Sequence, residues 1–197
     1  PSCTLPDGTQ TSPQSGVMFN SAFQIGGQSG DVGAAAACTI RAVEELTGIY
    51  VDDFVVVDFV GFMAVVDALG GIAVYNPIDI DDELSGLTLD AGCRLLNGEQ
   101  ALGLARVRKI GDGSDISRIG RQQEIVMAII QEALRSRLLS DPIKLYGVLD
   151  VSLQTLTTGT YVGSLPNMLG LASSLASISS DQITLITMPF GAAADGN

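Results

Sequence analysis

Residues 54–75 constrain the fold of this chain more than any other segment. Residues 54–59 (FVVVDF) are nearly continuous in apolar, β-branched and aromatic character, which is typical of a buried strand. Residues 61–69 have the composition of a short helix that ends at Gly70-Gly71, and residues 72–75 have that of a second strand. A strand, a helix and a strand in this order form the elementary unit of an α/β fold. We therefore predict an α/β domain with a central mixed β-sheet flanked by helices in α-β-α layers.

The remaining segments predict further helices and one more strand. Asn97, followed by Gln100 at the third helical position, is a capping-box sequence at the start of one of these helices. The predicted helices cover residues 17–25, 34–46, 98–105, 115–139 and 163–178, with another starting at Asp141-Pro142. Residues 183–188 predict a final strand. Because 197 residues suit one domain, we expect residues 1–197 to form a single domain.

Composition excludes several classes of function. The chain has no His, which excludes a Ser-His-Asp triad, a Cys-His pair and any His-ligated zinc site. Acidic residues outnumber basic ones 22 to 10, which argues against a nucleic-acid binder. The longest apolar stretch, residues 60–74, is broken by Asp67 and three glycines and falls short of the roughly 20 residues of a membrane span. Since the sequence begins at Pro1 without a signal peptide, we expect part of a longer protein, with any anchor or export signal upstream.

An acidic segment follows the second predicted strand. It contains Asp79, Asp81, Asp82 and Glu83. We interpret it as solvated surface, which is the usual place of such runs. A site for a hard cation such as Mg²⁺ or Ca²⁺ is the alternative, although the spacing does not match a calcium-binding loop.

Half of the basic residues lie between positions 106 and 121. Five basic and two acidic residues give this stretch a local charge of about +3 in a protein of net charge −12. Arg106 and Arg108 flank Val107, so an extended chain would place both guanidinium groups on one face. Arginines bind phosphate oxygens in a bidentate manner, and the N-terminus of the following helix adds partial positive charge. The pattern predicts a phosphate or pyrophosphate clamp; a sugar carboxylate and a set of surface ion pairs are the alternatives.

The periodicity of the helix predicted at residues 115–139 suggests which side chains face inward. At about 100° per residue, Asp115, Arg118 and Gln122 fall within one arc of roughly 60°. The same arc contains the apolar residues that we expect to face the core: Ile119, Val126, Ile129 and Ala133. Arg121 falls on the other side, toward solvent. Polar residues on an inward stripe indicate a pocket, or an ion pair between Asp115 and Arg118 three residues apart.

These residues resemble a known family. Arg106-Val-Arg108 and, after a short loop, residues 115–123 (DISRIGRQQ) resemble the R-x-R … D-x-x-R-x-x-R-Q-Q signature of the LytR-CpsA-Psr family. Three further segments resemble that family in the same order: LTGIYVDDFVVVDFVGF, VDALGGI and GLTLDAGCRLLNGEQALGLAR. The resemblance covers roughly residues 17–130.

The resemblance implies a transferase outside the cytoplasmic membrane, at the cell wall. Such proteins move a glycopolymer (teichoic acid, capsular polysaccharide or arabinogalactan) from a polyprenyl-pyrophosphate carrier onto peptidoglycan, with Mg²⁺ as cofactor. A pyrophosphatase side activity is compatible with it. The partners that it implies are the lipid-linked polymer, the peptidoglycan acceptor and, through an upstream anchor, the membrane. A non-catalytic module that binds polyprenyl phosphate or a cell-wall polymer is the alternative, followed by a structural domain whose arginines are only ion-paired.

The resemblance also implies roles for particular residues. It assigns the pyrophosphate to Arg106, Arg108 and Arg118, and Gln122 would complete the polar head of the pocket. We add Arg121 to this substrate-binding set, although its side chain is expected to point toward solvent. Arg106 and Arg118 would act in catalysis with Asp115, which would orient the arginines or lie near the metal. The prenyl tail would occupy an apolar groove between sheet and helices. The family's N-terminal strand with its Ser-Asp segment and its Pro-Arg-Asp motif are missing from this sequence, so we expect the metal ligands upstream of Pro1.

Three cysteines allow three possible disulfides. The extracytoplasmic location that the resemblance implies permits oxidation. We favour Cys3 with Cys38, because this bond would fasten the N-terminal loop to the Ala-rich helix. Cys93 would then stay unpaired, with Tyr75 at the position where related actinobacterial sequences often carry a second cysteine.

Overall fold

Helices alternate with short strands along most of the chain. The computed structural model describes residues 2–13, 16–107, 115–136, 138, 141–175, 178–179 and 182–187, with only the main chain described for 115–117 and 175. The helices are α1 (Ser21–Gly26), α2 (Val32–Thr47), α3 (Phe59–Ala68), α4 (Gly98–Arg106), α5 (Asp115–Arg135), α6 (Pro142–Thr155) and α7 (Leu165–Leu175). The strands are β1 (Val55–Val56), β2 (Ile72–Asn76), β3 (Ile80–Asp82), β4 (Leu87–Leu89), β5 (Gly92–Leu96) and β6 (Thr157–Thr158). A 3₁₀ turn, Gly27–Ser29, follows α1.

The α/β class is confirmed, but the strands pair differently from the prediction. Within the described ranges they form three antiparallel pairs, β1 with β6, β2 with β5 and β3 with β4, and no central mixed sheet. The strand predicted at residues 54–59 is reduced to two residues. Asp58 ends it, because its Oδ1 accepts the N–H of Gly61 at 2.7 Å and α3 already begins at Phe59. The predicted strand–helix–strand segment is therefore present in sequence order but does not form a parallel pair.

Local capping signals set several helix boundaries. Asp31 Oδ1 accepts the N–H of Ala34 at 3.1 Å, so α2 begins at Val32 rather than at residue 34. The capping box at the start of α4 is confirmed, because Asn97 and Gln100 each accept the other's main-chain N–H. The helix predicted at Asp141-Pro142 is also present, with Asp141 as its cap.

Three other boundaries differ from the prediction. The first helix begins at Ser21 rather than at residue 17, and α5 ends at Arg135 rather than at residue 139. Residues 183–187 do not form the predicted strand, and residue 188 lies outside the described residues. Instead, the Thr187 hydroxyl and the Gln123 amide exchange hydrogen bonds at 3.1 and 3.4 Å. This segment thus contacts a helix side chain, which does not require a β conformation.

The chain divides into two compact units. Unit 1 comprises Pro1–Gly61 and Ser152–Leu171, and unit 2 comprises Phe62–Val151 and Ala172–Asn197. In unit 1, α1 packs on α2 so closely that a Cβ at Gly26 would meet the main chain of Ala34 and Ala35. The Cys3–Cys38 disulfide, the pairing we favoured, fastens the N-terminal loop to α2.

A carboxylate joins two distant segments of unit 1. Asp53 Oδ1 accepts the N–H of Phe54 at 2.8 Å, and Asp53 Oδ2 accepts the N–H of Val162 at 2.6 Å. The hydrogen bond from Val162, together with those from Phe54 and Tyr161, lowers the pKa of the Asp53 carboxyl below its ordinary value, against the opposing effect of burial. Asp53 therefore holds the loop after β6 beside β1.

Unit 2 contains the principal apolar cluster. Its most deeply buried members are Val66, Ile72, Leu96, Ala101, Val107 and Ile125. β2 and α4 both pack against α5 in this cluster. Asp67 at the end of α3 accepts the N–H of Gly98 at 2.7 Å, which fixes the start of α4. The cluster thus positions α4 and α5, the two helices that carry the arginines.

The sequence suggested that the acidic segment is solvated surface, but the structure shows this for only part of it. Residues 80–89 form the β3–β4 hairpin, and Asp82, the last residue of β3, is only 3% exposed. Asp82 Oδ2 accepts the N–H of Ser85 at 3.1 Å, while Asp79 accepts the N–H of Ala91 at 2.7 Å. Two of the four acidic residues therefore accept hydrogen bonds from nearby main-chain N–H groups.

Candidate functional site

Helix α5 buries a different face from the one that periodicity predicted. Ile125 and Ala128 are buried, and Ile129, which was expected to face inward, packs against the same apolar cluster. Gln122 and Val126, which were also expected to face inward, are exposed. The buried face is centred about 100°, or one residue, away from the predicted arc. Apolar side chains occur on most sides of α5, and its contacts with β2 and α4 select the face that contains Ile125.

This rotation reverses the expectation for Arg121. Its side chain, predicted to point to solvent, is half-buried, and its Nη2 donates a hydrogen bond to the carbonyl oxygen of Val107 at 2.7 Å. Val107 is fully buried and lies between Arg106 and Arg108. The hydrogen bond therefore joins the two halves of the arginine-rich sequence, one at the end of α4 and the other in the second turn of α5.

The other predicted site residues differ in how exposed they are. Arg106 is the last residue of α4 and is exposed, and Arg118 is half-buried in the first turn of α5. Arg108 and the side chain of Asp115 lie outside the described residues. Gln122 is exposed on α5. Arg106 thus ends α4 and Arg118 lies in the first turn of α5. Both flank the connection between these helices, which the hydrogen bond from Arg121 to Val107 spans.

A cavity of about 240 Å³ lies next to Arg121 in unit 2. It is lined by residues of β2, including the exposed Tyr75 and the buried Asn76, and by Glu124 of α5. The sequence alone does not indicate Glu124. It becomes a candidate only with the observed rotation of α5, since it follows Arg121 by three residues and faces the same strand.

Unit 1 contains an apolar groove of about 340 Å³, which we call the α2 groove. Its walls are α2, residues 51–57 and Phe23 of α1, and its lining is almost entirely aliphatic or aromatic. It has the character of the groove expected between sheet and helices. Its occupation by a prenyl tail stays a prediction.

The described side chains do not form a metal centre. Among them, no three Cys, Asp or Glu residues are arranged so that they could hold a metal ion. Since we expect the metal ligands upstream of Pro1, Mg²⁺ as the cofactor stays a prediction. Cys93 is reduced and exposed, opposite Tyr75 in the β2–β5 pair. In the part of the chain that the structure describes, no helix combines the length and apolar character needed to cross a bilayer.

Comparison with known proteins identifies relatives over most of the chain. The model of the LytR_cpsA_psr family matches residues 3–197. The cell wall biosynthesis protein LcpA of Corynebacterium glutamicum is 32% identical over 150 residues, which are 76% of this chain and 28% of LcpA. The polyisoprenyl-teichoic acid–peptidoglycan teichoic acid transferase TagV of Bacillus subtilis is 37% identical over 117 residues, which are 57% of this chain and 28% of TagV.

Solved structures give the same result. The crystal structure of Bacillus subtilis TagV matches with a TM-score of 0.63 and 26% identity, over 92% of this chain and 66% of that one. A LytR-Csp2A-Psr enzyme from Actinomyces oris matches with a TM-score of 0.63 and 28% identity, over 82% of this chain and 63% of that one. This chain spans 28% of the length of each of the two curated relatives described above.

Proposed function

This chain belongs to the LytR-CpsA-Psr family, and from that premise we propose that it transfers a glycopolymer from a polyprenyl-pyrophosphate carrier to peptidoglycan. The relatives LcpA and TagV are a cell wall biosynthesis protein and a teichoic acid transferase. The proposal includes a place outside the cytoplasmic membrane, where both the carrier-linked polymer and the peptidoglycan acceptor are found.

One observation carries the proposal. The hydrogen bond from Arg121 to Val107 brings the end of α4, with Arg106, beside the first turns of α5, with Arg118. An arginine at the start of a helix adds its charge to the partial positive charge of the helix N-terminus. Guanidinium groups keep their charge and match phosphate oxygens in geometry. This combination supports binding of a pyrophosphate at the connection between α4 and α5.

The proposed reaction is a phosphoryl transfer. A sugar hydroxyl of peptidoglycan attacks the phosphorus next to the polymer, the bond to the bridging oxygen breaks, and polyprenyl phosphate leaves. Arg106, Arg108 and Arg118 neutralise the charge that develops on the leaving phosphate, which is the main contribution of a protein to this class of reaction. Asp115 is the carboxylate of this chain proposed to accept the hydroxyl proton or to orient the arginines. The lipid tail is proposed to lie in an apolar groove between sheet and helices.

The test is a transfer assay with the full-length protein, a synthetic polyprenyl-pyrophosphate-linked saccharide and peptidoglycan. We expect Arg118→Ala to lower transfer about 100-fold or more, as for removal of one donor to a developing oxyanion. Arg135→Ala is the matched control on the same helix, because Arg135 is 73% exposed and pairs with Glu132. Transfer unchanged in Arg118→Ala would contradict the clamp, and donor binding without any turnover would favour the non-catalytic binding module.

Magnesium dependence is part of the proposal, and it rests on the family resemblance alone. Chelation by EDTA should abolish transfer, and added Mg²⁺ should restore it. Transfer that continues in EDTA would refute this part of the proposal and leave the role of the arginines intact.

A further inference from the structure

Val107 is fixed by its side chain and by both of its main-chain polar groups. Its N–H donates to the carbonyl oxygen of Gly103 at 3.0 Å, which closes the last turn of α4. Its carbonyl oxygen accepts the hydrogen bond from Arg121 at 2.7 Å, and its side chain is completely buried in the apolar cluster of unit 2. Val107 is also the residue at which the chain turns out of the helix, with φ −56° and ψ 129°.

The carbonyl group of Val107 requires a donor from outside α4. The last carbonyl groups of a helix have no partner within it, and a buried one is nearly always hydrogen-bonded. Arg121 supplies a charged donor, and such bonds are shorter and stronger than those between neutral groups.

Packing of α5 determines the direction of the Arg121 side chain. Ile125 and Ala128 follow it by four and seven residues, lie on the same face and are buried in the cluster that contains Val107. Arg121 therefore leaves the helix from its packed side, toward the end of α4. Gln122, its neighbour, is exposed.

We propose that Arg121 is a positioning residue for the anion site. By holding Val107, it fixes the end of α4, and thus the placement of Arg106, the last residue of that helix. The inference rests on the proposed function, and it replaces the expectation that Arg121 itself contacts the pyrophosphate. A residue that acts through a segment must lose its effect when the functional side chains of that segment are removed.

The test is a double-mutant cycle in the full chain, with geranylgeranyl pyrophosphate as the probe and calorimetry as the measurement. We expect R121A to weaken binding about tenfold in the wild-type background, the usual effect of losing a hydrogen bond to a charged group. In the R106A/R108A background, R121A should weaken binding by less than about twofold, because the arginines that it positions are absent. An equal loss in both backgrounds would mean that Arg121 binds the anion independently, and would overturn the inference.

Two further measurements separate positioning from other effects. R121K keeps the charge and a donor, so it should remain folded and give a smaller loss that again disappears in the R106A/R108A background. Hydrogen exchange at the last turn of α4 should accelerate in R121A and stay unchanged in the control R135A. If R106A/R108A alone leaves binding at the wild-type level, the proposed function fails, whereas additivity with a weakened R106A/R108A rejects only the positioning role.

Discussion

The two compact units of this chain are stabilised in different ways. In unit 2, large side chains such as Leu96 and Ile72 are completely buried. In the described residues of unit 1, the buried apolar side chains are those of alanine and cysteine, while Met18 and Leu46 are at least 70% exposed. Unit 1 instead contains a disulfide and the hydrogen bonds by which the Asp53 carboxylate joins residues 54 and 162, which we call the Asp53 clamp. We infer that apolar packing dominates the stability of unit 2, and that a few specific constraints dominate that of unit 1.

The largest expected effect is in the core of unit 2. Leu96→Ala should lower the free energy of unfolding by about 2–5 kcal/mol, because it removes a completely buried side chain and leaves a cavity. Leu95→Ala is the matched control in the same strand: Leu95 is 65% exposed, so the loss should stay within about 0.5 kcal/mol. Chemical denaturation measures both. Similar losses in the two variants would contradict the inference that apolar packing dominates the stability of unit 2.

Loss of the disulfide should have the next largest effect. The bond closes a loop between residues 35 positions apart, and its removal in Cys3→Ser/Cys38→Ser should lower stability by about 2–4 kcal/mol. Cys93→Ser, which removes an exposed free thiol, is the control and should be neutral. Denaturation with and without a reductant measures the difference. If reduction leaves the wild-type transition unchanged, the disulfide does not stabilise unit 1.

The Asp53 clamp should give a smaller, pH-dependent effect. Because hydrogen bonds from Val162, Phe54 and Tyr161 lower the pKa of this carboxyl, the folded state binds the proton less readily than the unfolded chain does. Its contribution is therefore complete above the ordinary Asp pKa of about 3.9 and is lost as the pH falls through the lower folded-state pKa. Asp53→Asn should destabilise the protein at neutral pH and flatten the acid limb of its stability profile, followed by circular dichroism. An acid limb identical to that of the wild type would argue against a contribution of the Asp53 clamp to stability.

The smallest effects should come from one type of substitution with opposite signs in the two units. Gly120 lies within α5 with open space around it, so Gly120→Ala should stabilise the protein by about 0.5–1 kcal/mol. Gly159→Ala should destabilise it, because the new Cβ would collide with the carboxylate of Asp53. Thermal unfolding of both variants provides the comparison. The same sign in both would show that the tight packing at Gly159 can relax without loss.

Local features of the fold were predictable from the sequence. The Asn97–Gln100 capping box and the Asp141-Pro142 start depend on residues within one turn, so the sequence alone identifies them. Strand pairing was not predictable, because β1 pairs with β6 about one hundred positions later and both strands have only two residues. Strands this short carry no periodicity that could indicate a partner.

The position of the arginines along the helices was predictable from the sequence, but the orientation of their side chains was not. Arg106 lies at the end of one predicted helix and Arg118 near the start of the next, as in the structure, while their role in binding stays a prediction. The face of α5 depends on contacts with β2 and α4, which the helix sequence does not contain. The predicted arc therefore placed Arg121 on the solvent side and Gln122 on the buried side, the reverse of the observed arrangement.

The proposed anion site can be seen directly in a crystal structure of the full chain with a bound polyprenyl pyrophosphate. We expect the pyrophosphate oxygens to lie within hydrogen-bonding distance of the guanidinium groups of Arg106 and Arg118. We also expect Arg121 to donate to the carbonyl of Val107 rather than to the phosphate. A pyrophosphate bound elsewhere, with Arg106 and Arg118 directed into solvent, would show that these arginines do not form the site.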